Sequence, residues 1–120
     1  MSKLTASQLT YLQSERRLAR LATADQQGRP QVTPVGTWRY NEELGTIDVG
    51  GRDLPSTKKF RNITVNPQAA LVVDDIASID PWRPRAVIVE GPAEAILADP
   101  GGNSVLRITP DKVISWGLEE

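Results

Sequence analysis

The chain has 120 residues, 39% of them hydrophobic, and a formal net charge of −1. That describes one domain, residues 1–120, able to bury a core, and it argues against a protein devoted to binding nucleic acid. There is no cysteine and no histidine. Disulfides, thiol nucleophiles, Ser-His-Asp triads and zinc sites with the usual ligands are thereby excluded, and haem ligation is left with Tyr or Met alone. Any chemistry the protein performs is then most naturally supplied by a bound organic cofactor.

Thr5 to Gln13 reads as a short helix. Thr5 can cap it, Gln8 can answer in a capping box, and Leu9 and Leu12 would face the core. RLARLATA, residues 17–24, is a strand and DQQGRP, 25–30, a turn. QVTPVGTWRY, 31–40, alternates with period two and reads as one strand, with Pro34 marking an edge or a bulge. NEELG turns the chain and TIDVGG is the next strand. A helix is expected near 56–65, with Phe60 and Ile63 as its buried stripe and Pro67 beyond its end. QAALVVDD is a buried strand and IASIDPWRPR an irregular loop. AVIVEGPAEAI, 86–96, is a long strand bent at Gly91-Pro92, and ADPGGN is a turn. VLRI and KVISW, separated by TPD, predict a closing hairpin. The sum is an all-β fold with minor α: six or seven antiparallel strands in a small barrel or sandwich with two short helices.

There is no run of 18 apolar residues, so no membrane span is expected. The polar N-terminus MSKLTASQLTYLQSERR lacks the apolar centre of a signal peptide. A cytoplasmic location is therefore expected, and the sequon Asn62-Ile63-Thr64 is read as a chance match.

GGRDLPSTKKFRN poses a question. Arg52, Lys58, Lys59 and Arg61 are opposed only by Asp53, and the lysines fall at the positive end of a helix dipole, where acids are favoured. A solvated helix face is one reading. The other is an anion site. Free N–H groups, the Ser56 and Thr57 hydroxyls and two lysines would hold a phosphate, with Gly50 and Gly51 admitting it close to the backbone. No P-loop and no G-x-G-x-x-G pattern accompanies it. Adjacent strand residues Asp74 and Asp75 point to opposite faces, a poor metal pair, so no metal site is expected. Trp38 and Trp116 read as core or interface. Trp82, between Pro81 and Arg83 with Arg85 beyond, could meet a ligand or a second subunit. Tyr40 is a possible proton donor, though a tyrosine at a strand end is usually structural.

RLARLAT, DQQGRPQVTPVGTWRY, STKKFRN with the following NP, VDDIASIDPWRPRAVIVEGPAEA and RITPDKVISWGLE, in that order and spacing, resemble the flavin- and deazaflavin-binding split β-barrels related to pyridoxamine 5'-phosphate oxidase. The similarity is to the branch that uses the deazaflavin coenzyme F420, and it runs from Leu4 to Glu119. The resemblance implies an FMN-binding-like split barrel, a homodimer with the cofactor at the subunit interface, and an F420-dependent oxidoreductase passing a hydride between the cofactor and a small organic acceptor. It implies that Val32, Thr33, Pro34 and Val35 run along the cofactor ring. Gly50 and Gly51 would lie beside its phosphate tail, and Thr57, Lys58 and Lys59 would grip the phosphate. Arg85, Ala77 and Ser78 would reach the cofactor from the partner chain. Thr33 stands where pyridoxamine phosphate oxidases proper have an arginine. The chain has no histidine and stops before their C-terminal substrate segment, so vitamin B6 oxidation is not expected. A flavin mononucleotide (FMN) enzyme of the same fold and a non-catalytic cofactor carrier are the alternatives. A nucleic-acid-binding barrel is disfavoured by the six scattered aromatic residues.

Overall fold

The structure, a computed structural model, describes residues 3–98 and 103–118. Helix α1 (Ala6–Ser14) opens on the expected capping box. The Thr5 hydroxyl accepts from the Gln8 N–H at 3.2 Å, and the Gln8 side chain accepts from the Thr5 N–H at 2.8 Å. Leu12 is buried and Leu9 packs partly against the core. Strands β1 (Ala19–Ala24), β2 (Pro30–Val35), β3 (Trp38–Asn41) and β4 (Thr46–Val49) follow. A 3₁₀ turn (Leu54–Ser56) leads into helix α2 (Lys58–Val65). The chain then forms β5 (Gln68–Ser78), β6 (Arg83–Ile96), β7 (Val105–Ile108) and β8 (Lys112–Trp116). The expected turn ADPGGN lies largely outside the described residues.

Among the described residues the fold is antiparallel β with two short helices, and it has eight strands where six or seven were expected. The extra strand comes from residues 31–40. Val35 is buried in β2, whereas Trp38 and Tyr40 are the inward residues of β3. Unbroken alternation would put position 35 and positions 38 and 40 on opposite faces. Gly36 and Thr37 break the strand and reset the parity. The strand order is β2-β1-β5-β6-β7-β4-β3, with β8 paired to β6. The two ends of this path, β2 and β3, are consecutive in sequence. The sheet therefore curls back towards its start and stays open there, which is the architecture of a split barrel.

β6 holds the two halves together. Residues 83–92 pair with β5 and residues 86–90 with β8, whereas residues 93–96 pair with β7. Two sequence expectations fail for this reason. VLRI and KVISW do not form a hairpin: both pair with β6, one on each side of its bend. The connecting Thr109–Asp111 crosses directly over Gly91, where the Thr109 N–H bonds Pro92 O at 2.9 Å and the Asp111 N–H bonds Glu90 O at 2.8 Å. IASIDPWRPR is likewise no irregular loop. Its pairing continues through Ile76↔Pro84 and Ser78↔Arg83, so β5 and β6 form one long hairpin with Ala77 at a bulge. Pro81 falls in the turn of this hairpin, and Pro84 is accommodated in β6 opposite Ile76.

The core runs through Leu21, Leu71, Val87, Val89, Ile47, Leu106 and Ile108, joined by Phe60 and Ile63 from α2. Helix α1 is tied down by charge. Asp75 accepts from Arg85 on β6, from the Tyr11 hydroxyl at 2.9 Å and from Arg17 at 3.1 Å. The Arg17 guanidinium also lies 4.0 Å from the centre of the Tyr11 ring. The Arg85 hydrogen bonds hold the Asp75 carboxyl down at about 2, against the opposing effect of burial and with help from Tyr11 and Arg17. Burial, reinforced by the bond to Asp75, pushes the Tyr11 phenol up to about 12.

Two outcomes follow from this architecture. A Cβ on Gly91 would sit 2.0 Å from Thr109 O and 3.0 Å from Asp111 N. Gly91→Ala is therefore expected to cost about 1–3 kcal/mol by overpacking, read as a lower urea midpoint; an unchanged midpoint would contradict the tight crossing. The depressed Asp75 pKa gives stability that is present above the ordinary carboxylate range and lost as pH falls through that range towards about 2. Asp75→Asn is expected to lower stability at neutral pH and to flatten the loss of melting temperature between about pH 4 and pH 2.

Candidate functional site

The N-terminus of α2 is built as an acceptor for negative charge. The Thr57 hydroxyl receives the Phe60 N–H at 3.3 Å, and Thr57 O receives the Arg61 N–H at 3.2 Å. That leaves the N–H groups of Lys58 and Lys59 without intrahelical acceptors. No acid occupies the first turn. Lys58 is exposed, Lys59 half-buried, and neither ammonium has an ion pair among the described residues. Two free N–H groups and two unpaired lysines thus converge on one helix end. The Ser56 and Thr57 hydroxyls, expected to help, instead donate to Asp53 O at 2.8 Å and Leu54 O at 2.6 Å. They shape the turn and leave anion recognition to the backbone and the lysines.

Asn62 fixes this helix against the sheet. It is buried, and its amide donates to Thr23 Oγ1 of β1 at 3.0 Å and to Gln31 Oε1 of β2 at 3.4 Å. The lysine-bearing terminus and the β2 edge are therefore held in one unit. Burial also removes Asn62 as a glycosylation acceptor. On β2, Val32 and Pro34 are exposed, Thr33 is half-buried and Val35 is buried in the core. β2 ends the strand path, so the backbone groups along one of its sides have no ladder partner.

Just beyond β2, the Gly50 N–H bonds Thr37 O at 2.8 Å. This draws the end of β4 to the break between β2 and β3. Gly36, Thr37, Gly50 and Gly51 line a groove of about 790 Å³ that also reaches Leu54 and Pro55 of the turn before α2. The groove sits where the barrel is open. A Cβ on Gly50 would meet the Thr37 methyl at 3.2 Å, and Gly51 has φ +156°. Small residues keep the backbone accessible here. A larger concavity of about 840 Å³ on the β1–β5–β6 face contains none of the expected cofactor contacts.

Ala77, Ser78 and Arg85 lie apart, on the long hairpin, and share neither groove nor hydrogen bond with Gly50, Gly51 or Lys59 in the same chain. Arg85 is engaged by Asp75 of its own chain, leaving its Nη1 without a hydrogen bond among the described residues. The structure adds Arg16, Arg39 and Asp48, which sequence reasoning did not assign to a site, and brings Arg52 of the basic run to them, with Trp38 beside them. Asp48 is buried on β4, and burial alone would raise its pKa. Hydrogen bonds from Arg107, Asn41 and Thr46 outweigh that and hold its carboxyl below the usual range. The alternation of Arg39 and Asp48 on neighbouring strands was visible only as two unrelated charges until β3 paired with β4.

Among the described residues no helix is long and apolar enough to cross a membrane, and no group of three or more His, Cys, Asp or Glu is placed to hold a metal. Residues 5–117 match the family described as pyridoxamine 5'-phosphate oxidase. The chain is 37% identical over 123 residues to a 5a,11a-dehydrotetracycline/5a,11a-dehydrooxytetracycline reductase of Streptomyces rimosus, covering 96% of this chain and 84% of that one. Its fold is shared with a FAD-binding protein of Mesorhizobium loti, at 21% identity, a TM-score of 0.69 and 93% coverage of each chain. It is also shared with an F420 reductase, at 20% identity and a TM-score of 0.66, covering 88% of this chain and 94% of that one. The chain belongs to the pyridoxamine 5'-phosphate oxidase family of oxidoreductases.

Proposed function

We propose that the protein is an F420-dependent oxidoreductase acting on a small organic acceptor with a conjugated double bond, working as a homodimer in the cytoplasm. The observation that carries this reading is the α2 terminus: two free N–H groups and two unpaired lysines, locked by Asn62 to an edge strand. This donor set fits the phosphate of a deazaflavin. When bound in its reduced form, the cofactor supplies a hydride from C5; together with a proton from solvent this reduces the acceptor's double bond by two electrons and leaves the cofactor oxidised.

The chain's own residues position and enclose. Lys58 and Lys59 hold the phosphate through N–H and ammonium groups, and Thr57 sets the helix entry that aims them. The free side of β2, Val32 to Val35, offers backbone donors and acceptors to a ring edge, with no arginine at Thr33 to demand a particular flavin tail. Gly50 and Gly51 admit the ligand close to the strand end. Ala77, Ser78 and Arg85 of a second copy would complete the enclosure and exclude water.

The outer sheet face supports the dimer. In register, Val32, Ala22 and Ala70 form one row, and Pro34, Arg20, Val72, Ile88 and Ile114 the next. Trp116 and Ile76 extend this face, which apolar side chains dominate apart from the Arg20–Asp74 pair and the Glu90 and Lys112 edge. The dehydrotetracycline reductase relative and the F420 reductase of like fold support the reaction class and the cofactor.

Titration of the purified protein with F420 and, separately, FMN, followed by tryptophan quenching, tests the cofactor. F420 is expected to bind, and Lys59→Ala to weaken it about tenfold or more, ~1.4 kcal/mol. Binding of FMN alone would keep the fold and change the cofactor, and binding of neither would overturn the reading. Binding with no turnover on any acceptor would favour a carrier. Light scattering is expected to report a dimer, and Ile114→Asp, on the outer face, to shift it towards monomer. A wild-type monomer at high concentration would remove the interfacial site.

A further inference from the structure

The groove beside Gly50 and Gly51 carries charge that the cofactor reading does not use. Arg16, Arg39 and Arg52 all line it. Arg16 and Arg52 are exposed and have no ion pair or hydrogen bond among the described residues. Arg39 is 68% exposed and only 3.8 Å from Asp48. Asp48 does little to neutralise it, because that carboxylate is already filled by Arg107 at 3.0 and 3.1 Å, Asn41 at 2.9 Å and Thr46 at 2.8 Å. The wall's other acid is Asp53. In a chain with net charge −1, three weakly engaged guanidiniums facing one concavity form a local excess of positive charge.

Trp38 supplies a second feature. Its indole N–H donates to Arg17 O at 2.8 Å, which fixes the ring, and it lines both this groove and an adjoining concavity of about 300 Å³ shared with Arg16 and Arg39. Trp38 faces the core side of β3 and Arg39 the other, so the ring reports on the groove from its wall, and the planar guanidiniums are what suit a flat ligand with delocalised negative charge.

The geometry points to a seat for a planar, anionic, conjugated acceptor in this groove, with Arg16, Arg39 and Arg52 holding its ionised carboxylate or enolate. The acceptor role rests on the oxidoreductase reading above. The cofactor is assigned to the α2 terminus, the β2 edge and the Gly50–Gly51 end of the groove, and the acceptor to the remainder, from Gly36 and Thr37, next to the end of β2, to the arginines. The side chains of Arg16, Arg39 and Arg52 are exposed enough to be replaced without disturbing the core.

The test uses 2-naphthoate and its neutral analogue 2-naphthamide as probes, read by the indole N–H resonance of Trp38, assigned with Trp82→Phe and Trp116→Phe variants. Naphthoate is expected to shift the Trp38 resonance and to bind about tenfold tighter than the amide. Arg39→Gln and Arg52→Gln are each expected to weaken it several-fold, and added salt to weaken it further. Saturating F420 should leave naphthoate bound. Equal affinity for the two probes, indifference to the arginine variants, or expulsion of naphthoate by F420 would overturn the assignment; expulsion would give the arginines to the cofactor. Failure of the cofactor reading is separable. A protein that binds neither F420 nor FMN, yet shows the arginine-dependent naphthoate site, loses its acceptor role but keeps an anion seat.

Discussion

The bend of β6 at Gly91 is the constraint on which the structure depends. One strand serves two sheet halves, so its two parts must point in different directions and accept different neighbours. β5 and β8 flank the first part and β7 joins the second. The chain leaving β7 must cross the bend to become β8, and its backbone comes so near that only a residue without a Cβ fits. Pro92 follows at once, where its missing N–H is compatible with the end of the β5 ladder. From this crossing follow the curl of the sheet, the meeting of β2 and β3 at the split, and the place of the groove.

Two carboxylates, Asp48 buried and Asp75 half-buried, then fix what the hydrophobic core leaves adjustable. Asp75 gathers Arg17, Arg85 and Tyr11, which joins α1 to the long hairpin. Asp48 gathers Arg107, Asn41 and Thr46, which joins β4 to β7 and to the β3–β4 turn. Each charge is met by an arginine and by neutral donors, so the cost of removing it from water is offset. No buried side-chain polar atom among the described residues lacks a partner. Against that background the bare cations stand out. Among the described residues Arg16, Arg52, Lys58 and Lys59 are cations without a side-chain partner that gather at the groove and at the α2 terminus beside it.

Local structure was legible because local physics made it. The α1 capping box, the α2 stripe of Phe60 and Ile63, and the edge position of Pro34 each rest on residues within a few positions of one another. The lysines of STKK raised the right question for the same reason, since a dipole and its flanking charges lie within one turn. The reading failed where a single strand's appearance depended on a distant partner. IASIDPWRPR looked irregular because its prolines were visible and its pairing was not. VLRI and KVISW looked like a hairpin because they were close in sequence, whereas β6 offered each a longer partner. The break at Gly36-Thr37 was hidden by an alternation that continued through it in letters but not in space.

The sequence by itself determined the chemistry available: no thiol, no imidazole, a basic helix start, a glycine pair and an order of motifs that pointed to one family. Only the tertiary structure decided which of those groups are spent. It engaged the Ser56 and Thr57 hydroxyls with the carbonyls of their own turn and Arg85 with Asp75, and left Arg16, Trp38, Arg39 and Arg52 lining one opening. The physical reason is range. Capping, dipoles and glycine freedom act over a few residues and are written along the chain. Whether a charge is paired depends on what a strand tens of residues away brings to it, and that is settled only when the sheet closes on itself.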